Sequence, residues 1–181
     1  MIRFPLVLAA LAFAVPVCAQ EPSSPFHPSP LIADYGPIAD VDVSDRLPAD
    51  ASFKVAFDLA AAGKPDAPNR GLVSLARFLN MHVAAGVPAE RIGLAVVVHG
   101  PAGVDLTKNV FYGEQHQGAA NPNADLIAQL QKHGVRIILC GQSAAASGIA
   151  RDDLLPGVEM ALSAMTAHAL LQQDGYTLNP F

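Results

Sequence analysis

Apolar positions along the chain change period several times, and each change marks an element. Residues 52–59 (SFKVAFDL) alternate apolar and polar and are rich in β-formers, which predicts a strand. Gly63, Pro65 and Pro68 break it. From Asn69 onward, Leu72, Leu75, Leu79 and Val83 recur at helical spacing until Gly86 and Pro88 stop the run. Residues 91–100 (RIGLAVVVHG) are almost continuously apolar, as in a strand buried on both faces of a parallel sheet. The polar, glycine-rich stretch 101–121 predicts a long functional loop. Residues 123–134 predict a helix with Asn123 as N-cap, a Leu126/Ile127/Leu130 stripe and Gly134 as its stop. A buried strand follows at 135–139 (VRIIL), then Cys140 and a short helix. A short strand at 158–162, a helix at 163–174 and a closing strand YTLNP complete the pattern. Met160 and Met165 fall at core spacing and are assigned to packing.

Strands alternating with helices imply βαβ units joined by right-handed crossovers. The expected fold is α/β, a three-layer sandwich with a mostly parallel sheet of about five strands and helices on both faces. No Gly-x-Gly-x-x-Gly follows the first strand and no Walker-type loop occurs, so nucleotide binding gains no support. Residues 20–50 carry Pro22, Pro25, Pro28, Pro30, Pro37 and Pro48 and predict an extended arm or linker outside the core, packing over it or onto a neighbouring subunit. The folded domain is then 51–181. Residues 1–19 have the form of a secretory signal peptide: Arg3, an apolar run from Leu6 to Val15, and a Val17-Cys18-Ala19 cleavage site. The run is too short to span a bilayer. Lipidation at Cys18 is disfavoured by the preceding Val15-Pro16-Val17. The expectation is an exported, periplasmic protein with no membrane association after cleavage.

Export changes the meaning of the cysteine count. The chain of 181 residues has two cysteines, and Cys18 would leave with the signal peptide. Cys140 then stands alone in an oxidising compartment, either buried and inert or kept for its reactivity. A net charge of -5 with no Lys/Arg block argues against nucleic acid as a partner. In parallel sheets ligands gather beyond the carboxyl ends of strands, which here are Asp58, His99 and Cys140 at equal intervals. Backbone N–H groups of Gly141, Gln142 and Ser143 would favour a thiolate at Cys140 and hold a persulfide or a sulfur oxyanion. Gly141 permits close backbone approach, and the Gln142 and Ser143 side chains add hydrogen bonds. His99 is the candidate proton partner, although a histidine satisfied by a backbone carbonyl fits as well. Asp58 is a substrate-side candidate or a cap for the following turn. His27, His82, His116, His133 and His168 form no metal-ligand spacing, so neither a metal nor another cofactor is expected.

The segments VVVHGPA, NPNADLIAQL, GVRIILCGQSAAASGI and PGVEMALSAMTAHALLQQDGYTLNPF resemble the DsrE/DsrF-like family, specifically its exported branch, over residues 52–181. The resemblance implies a flavodoxin-like α/β fold, assembly into trimers or hexamers, and sulfur carried as a cysteine persulfide. Cys140, followed by Ala144 to Ala146 and Gly148-Ile149, matches the layout of the family's sulfur-accepting cysteine. The proline arm is foreign to the minimal fold, and an exported protein would not meet the cytoplasmic relay's partner subunits. The leading expectation is a periplasmic sulfur carrier or sulfurtransferase-like protein, its sulfur donor and acceptor thiol protein left open. The alternatives are a small-ligand-binding or assembly module with an inert Cys140, and a Cys140/His99/Asp58 hydrolase, which lacks the Gly-x-Cys-x-Gly elbow.

Overall fold

Five short strands assemble into one sheet: β1 (Phe53–Leu59), β2 (Ile92–Val98), β3 (Arg136–Cys140), β4 (Glu159–Ala161) and β5 (Thr177–Asn179). The computed structural model describes residues 24–29 and 31–179; the signal-peptide reading of 1–19, Cys18 included, lies outside them. All strand pairs are parallel, in the order β4-β3-β2-β1-β5. Five α-helices connect them: α1 (Arg70–Ala84), α2 (Asn109–Gln115), α3 (Ala124–Lys132), α4 (Gly141–Ser147) and α5 (Ala164–Gln173). This is the α/β sandwich that the alternating pattern predicts.

The strand order explains where the helices lie. From β1 to β4 the chain steps always in one direction, so right-handed crossovers put those connections on one face. The return from β4 to β5 runs the opposite way, and its crossover, α5, must lie on the other face. Side-chain parity sorts the core accordingly. Phe57, Leu94, Val96, Ile137 and Leu139 pack with Leu72, Leu75 and Leu79 of α1 and with Leu126, Ile127 and Leu130 of α3. Each such side chain, fully buried, stabilises by about 1.5–3 kcal/mol. The opposite set, Ala56, Ala95, Val97 and Ile138, meets Ala167 and Leu171 of α5. The alanines let one helix lie close to the sheet.

Parity also positions the chemistry. Asp58 follows Ala56 by two, Cys140 follows Ile138 by two, and His99 follows Val97 by two through extended backbone at φ -146°. All three therefore leave the sheet on the α5 side.

Three expectations are corrected. The stretch 101–121 is not an open loop; it holds a 3-10 helix (Gly100–Leu106) and α2, which bury Ala102, Leu106 and Tyr112. A buried polar network fastens it. Asp105 Oδ2 accepts from Asn69 Nδ2 and from the Gly63 N–H, both at 2.7 Å, and Asn121 Nδ2 donates to the Asp105 and Thr107 carbonyls. Asn123 does not cap its own helix: its backbone is already helical, and its Oδ1 accepts from the Asn69 N–H at 2.6 Å. Asn69 in turn caps α1 through the Gly71 N–H.

The proline arm is not outside the core throughout. Ile32 is 1% exposed and belongs to the main cluster, and Ile38 is also buried. Asn80 of α1 hooks the arm, its Oδ1 accepting from the Ile32 N–H and its Nδ2 facing the carbonyls of Ile32, Tyr35 and Gly36. Gly36 has φ +64°, and a Cβ there would lie 2.3 Å from the Arg77 nitrogen. Among the described residues of the arm, 24–28 and 40–50 run exposed along their whole length. No helix among the described residues is long and apolar enough to cross a membrane.

Candidate functional site

Cys140 closes β3, is 5% exposed and forms no disulfide. Burial pushes its thiol up, but the Ser143 hydroxyl and the backbone amides of Ser143, Ala164 and Gln142 favour the thiolate. The balance places its pKa below the ordinary thiol value. The polarity of the Ser143 contact is set from outside, because Ser143 Oγ accepts from the Gly100 N–H at 2.9 Å. Its own proton is thereby left for the sulfur. Ala164 is the first residue of α5, where helix geometry leaves backbone N–H groups unpaired.

Gly141 does not join this set of donors. Its role is steric: a Cβ there would stand 2.6 Å from the Ala161 carbonyl oxygen, so glycine permits the end of β4 to close on β3. The third amide comes instead from Ala164, across the fold. Gln142 contributes its amide, while its side-chain Nε2 donates to the Leu162 carbonyl at 3.2 Å.

Asp58 is held by two imidazoles and caps no turn. His168 Nε2 lies 2.7 Å from Asp58 Oδ1, and His99 Nε2 lies 3.1 Å from Asp58 Oδ2. An ionised carboxylate only accepts, so each ring carries its proton on Nε2. Burial raises the Asp58 pKa, and the hydrogen bonds and charges of His99 and His168 outweigh it, leaving the carboxyl below its usual range. No hydrogen bond joins His99 to Cys140 among the described residues, and the Cys-His-Asp hydrolase order gains no geometric support.

These groups share one cleft of ≈ 350 Å³, with Asp58, His99, Cys140, Ser143 and His168 in its wall. His168 was absent from the sequence-derived set. Its signal was local: it lies on the helical stripe with Ala164 and Leu171, three to four residues apart, beneath the strand ends. Met165 also lines the cleft and is 79% exposed, so it is not the core residue its spacing suggested. A second cleft is lined by Arg136 and Glu159, paired with each other through two hydrogen bonds, and by Asp174, paired with Lys54. No cluster of three or more His, Cys, Asp or Glu suited to a metal occurs among the described residues.

Ser143→Ala is expected to raise the Cys140 pKa, because it removes a hydrogen bond that favours the charged form. Alkylation by iodoacetamide reads this directly. The rate follows the thiolate fraction, so it rises with pH and reaches half its plateau at the thiol pKa. In the native protein that midpoint lies below the ordinary thiol value of about 8.5; in the variant it moves upward. An unmoved midpoint would remove Ser143 from the site.

No curated protein sequence matches the chain. Among solved structures, a protein of unknown function from Methanobacterium thermoautotrophicum superposes with TM-score 0.53 at 20% identity, covering 72% of this chain and 100% of its own. The ychN protein from E. coli superposes with TM-score 0.53 at 16% identity, covering 71% of this chain and 99% of its own. These likenesses establish a shared fold. The sequence profile of the DsrE/DsrF-like family matches residues 54–180, from the second residue of β1 through β5 and including every residue of the cleft wall. The chain belongs to the DsrE/DsrF-like family.

Proposed function

We propose that the protein is an exported, periplasmic sulfur carrier that holds sulfane sulfur as a persulfide on Cys140. Membership of the DsrE/DsrF-like family favours a sulfur relay role. The observation that carries the reading is the setting of Cys140: a thiol with lowered pKa, ringed by donors from two elements and opening on a cleft. In the loading step the Cys140 thiolate attacks the outer sulfur of a sulfane donor such as thiosulfate. A new S–S bond forms, the donor's S–S bond breaks, and sulfite departs with the electron pair. The Cys140 persulfide that remains is anionic, and the same hydroxyl and amides suit it. No external oxidant or reductant enters this step.

The exposed apolar side chains Leu162 (73%) and Met165 (79%), next to the cleft, support the companion proposal of a homo-oligomer, trimeric or hexameric. The loading reaction is tested by incubating the protein with thiosulfate, desalting it and adding cyanide. The proposal expects about one thiocyanate released per chain; release at the level of buffer would exclude it.

A further inference from the structure

The Asp58 cluster has a geometry that sulfur loading does not use. His99 Nε2 donates to Asp58, so in the neutral ring Nδ1 is the lone-pair nitrogen. That Nδ1 has no protein partner among the described residues, and the side chain is 34% exposed at the cleft wall. His168 is arranged differently: its side chain is 16% exposed, and its Nδ1 is buried without a partner. The two histidines therefore have unequal tasks. His168 clamps the far oxygen of Asp58, Asp58 fixes the His99 tautomer, and His99 presents a basic nitrogen to the cleft.

We propose that His99 is the general base for unloading the persulfide onto a neutral thiol, with Asp58 and His168 as its positioning residues. The proposal rests on the sulfur-carrier reading and names the acceptor class: a protonated thiol, not a preformed anion. His99 Nδ1 takes the thiol proton as the acceptor sulfur attacks the outer sulfur of the Cys140 persulfide. An S–S bond forms to the acceptor, the bond to Cys140 Sγ breaks, and Sγ leaves with the electron pair into its ring of donors. The products are the acceptor persulfide, the Cys140 thiolate and an imidazolium beside the Asp58 carboxylate, so charge balances with no added redox agent. The charged and titratable groups facing His99 are Asp58 from β1, His168 from α5 and Cys140 from β3, all lining the same cleft.

The size of the effect is bounded by chemistry. An ordinary thiol with pKa of about 8.5 is roughly one-tenth ionised at pH 7.5, so a base can gain at most about tenfold there. The test is the full chain, preloaded with thiosulfate and desalted, then unloaded at pH 7.5 by free cysteine or by sulfite. Sulfite, mostly the dianion at pH 7.5, attacks through a lone pair and in that form has no proton to surrender. His99→Gln and Asp58→Asn are expected to slow unloading to cysteine by roughly five- to tenfold and to leave unloading to sulfite within about twofold. Above the pKa of the thiol, the native and variant rates with cysteine should converge. Equal slowing with both acceptors, or a deficit that persists at high pH, would overturn the base assignment and leave the carrier reading intact. A native chain that never loads would overturn both. The sulfite rate also reports on folding in each variant, because a collapsed site would lose it too.

Discussion

Cys140→Ser is expected to reduce thiocyanate release after thiosulfate loading to the level of buffer. The loss should be complete because the nucleophile itself is removed. A serine hydroxyl does not ionise near neutral pH, and hydrogen-bond donors that assist a thiolate cannot bring an alkoxide within reach. The rest of the site should persist. Serine is close to cysteine in volume, and its oxygen can accept the hydrogen bonds that surround Sγ, so the fold should change by about 1 kcal/mol or less. Thermal unfolding of the variant separates the two effects: an unchanged midpoint with no thiocyanate assigns the chemistry to the sulfur atom. Residual release at a tenth or more of the native level would place loading on another group.

Asn80→Ala should produce the largest loss of stability among polar substitutions. Asn80 is fully buried, and among the described residues its side chain is the only one that hydrogen-bonds the backbone of Ile32, Tyr35 and Gly36. Removing it strands the Ile32 N–H and several carbonyls in the interior, each unsatisfied group costing about 1–3 kcal/mol. A total of about 3 kcal/mol follows once water re-enters part of the space. For a chain of this length that corresponds to a fall of roughly 6–12 °C in the unfolding midpoint. Urea denaturation measures the free energy, and limited proteolysis within 31–38 should accelerate in the variant. A cost below about 1 kcal/mol would mean that the packing of Ile32 and Ile38, with the Arg77–Pro37 and Tyr35–Asp125 hydrogen bonds, holds the arm without Asn80.

Short-range and long-range information separate cleanly in this chain. The runs VAFDL, GLAVVVHG and VRIIL carry a period-two or continuously apolar pattern, so the strands were legible from it, and with them the carboxyl-end positions of Asp58 and Cys140. His99 was legible for the same reason. Parity along a strand then puts all three on one face, and strand order decides which helix covers them. Features that depend on contacts far apart in the chain were not legible. Asn123 looks like an N-cap in its own sequence window, yet its acceptor serves Asn69, fifty-four residues earlier. The stretch 101–121 mixes exposed polar residues such as Lys108, Glu114 and Gln115 with Asp105, Thr107 and Asn121, which turn inward into a network no local window displays. Met165 sits at core spacing, but its helix covers a face made of small residues and turns that side chain to solvent. The Ala164 amide and His168 arrive at the cleft through the β4-to-β5 return. Only the topology brings α5 over the ends of β1, β2 and β3.

The glycine beside the cysteine shows the same separation at one residue. In sequence Gly141 permits close backbone approach beside Cys140, and the group that approaches is the Ala161 carbonyl of the neighbouring strand. Catalytic and packing demands for a small residue look alike in sequence. They differ only once the neighbour is known.

The central claim, that Cys140 accepts a single sulfur, is tested most directly by intact mass. The native protein and Cys140→Ser would be weighed before and after polysulfide, then again after a reductant. The account predicts a gain of one sulfur atom per native chain, reversed by the reductant and absent from the variant. An unchanged native mass, together with slow alkylation of Cys140, would contradict it and make Cys140 a packing residue of the sheet.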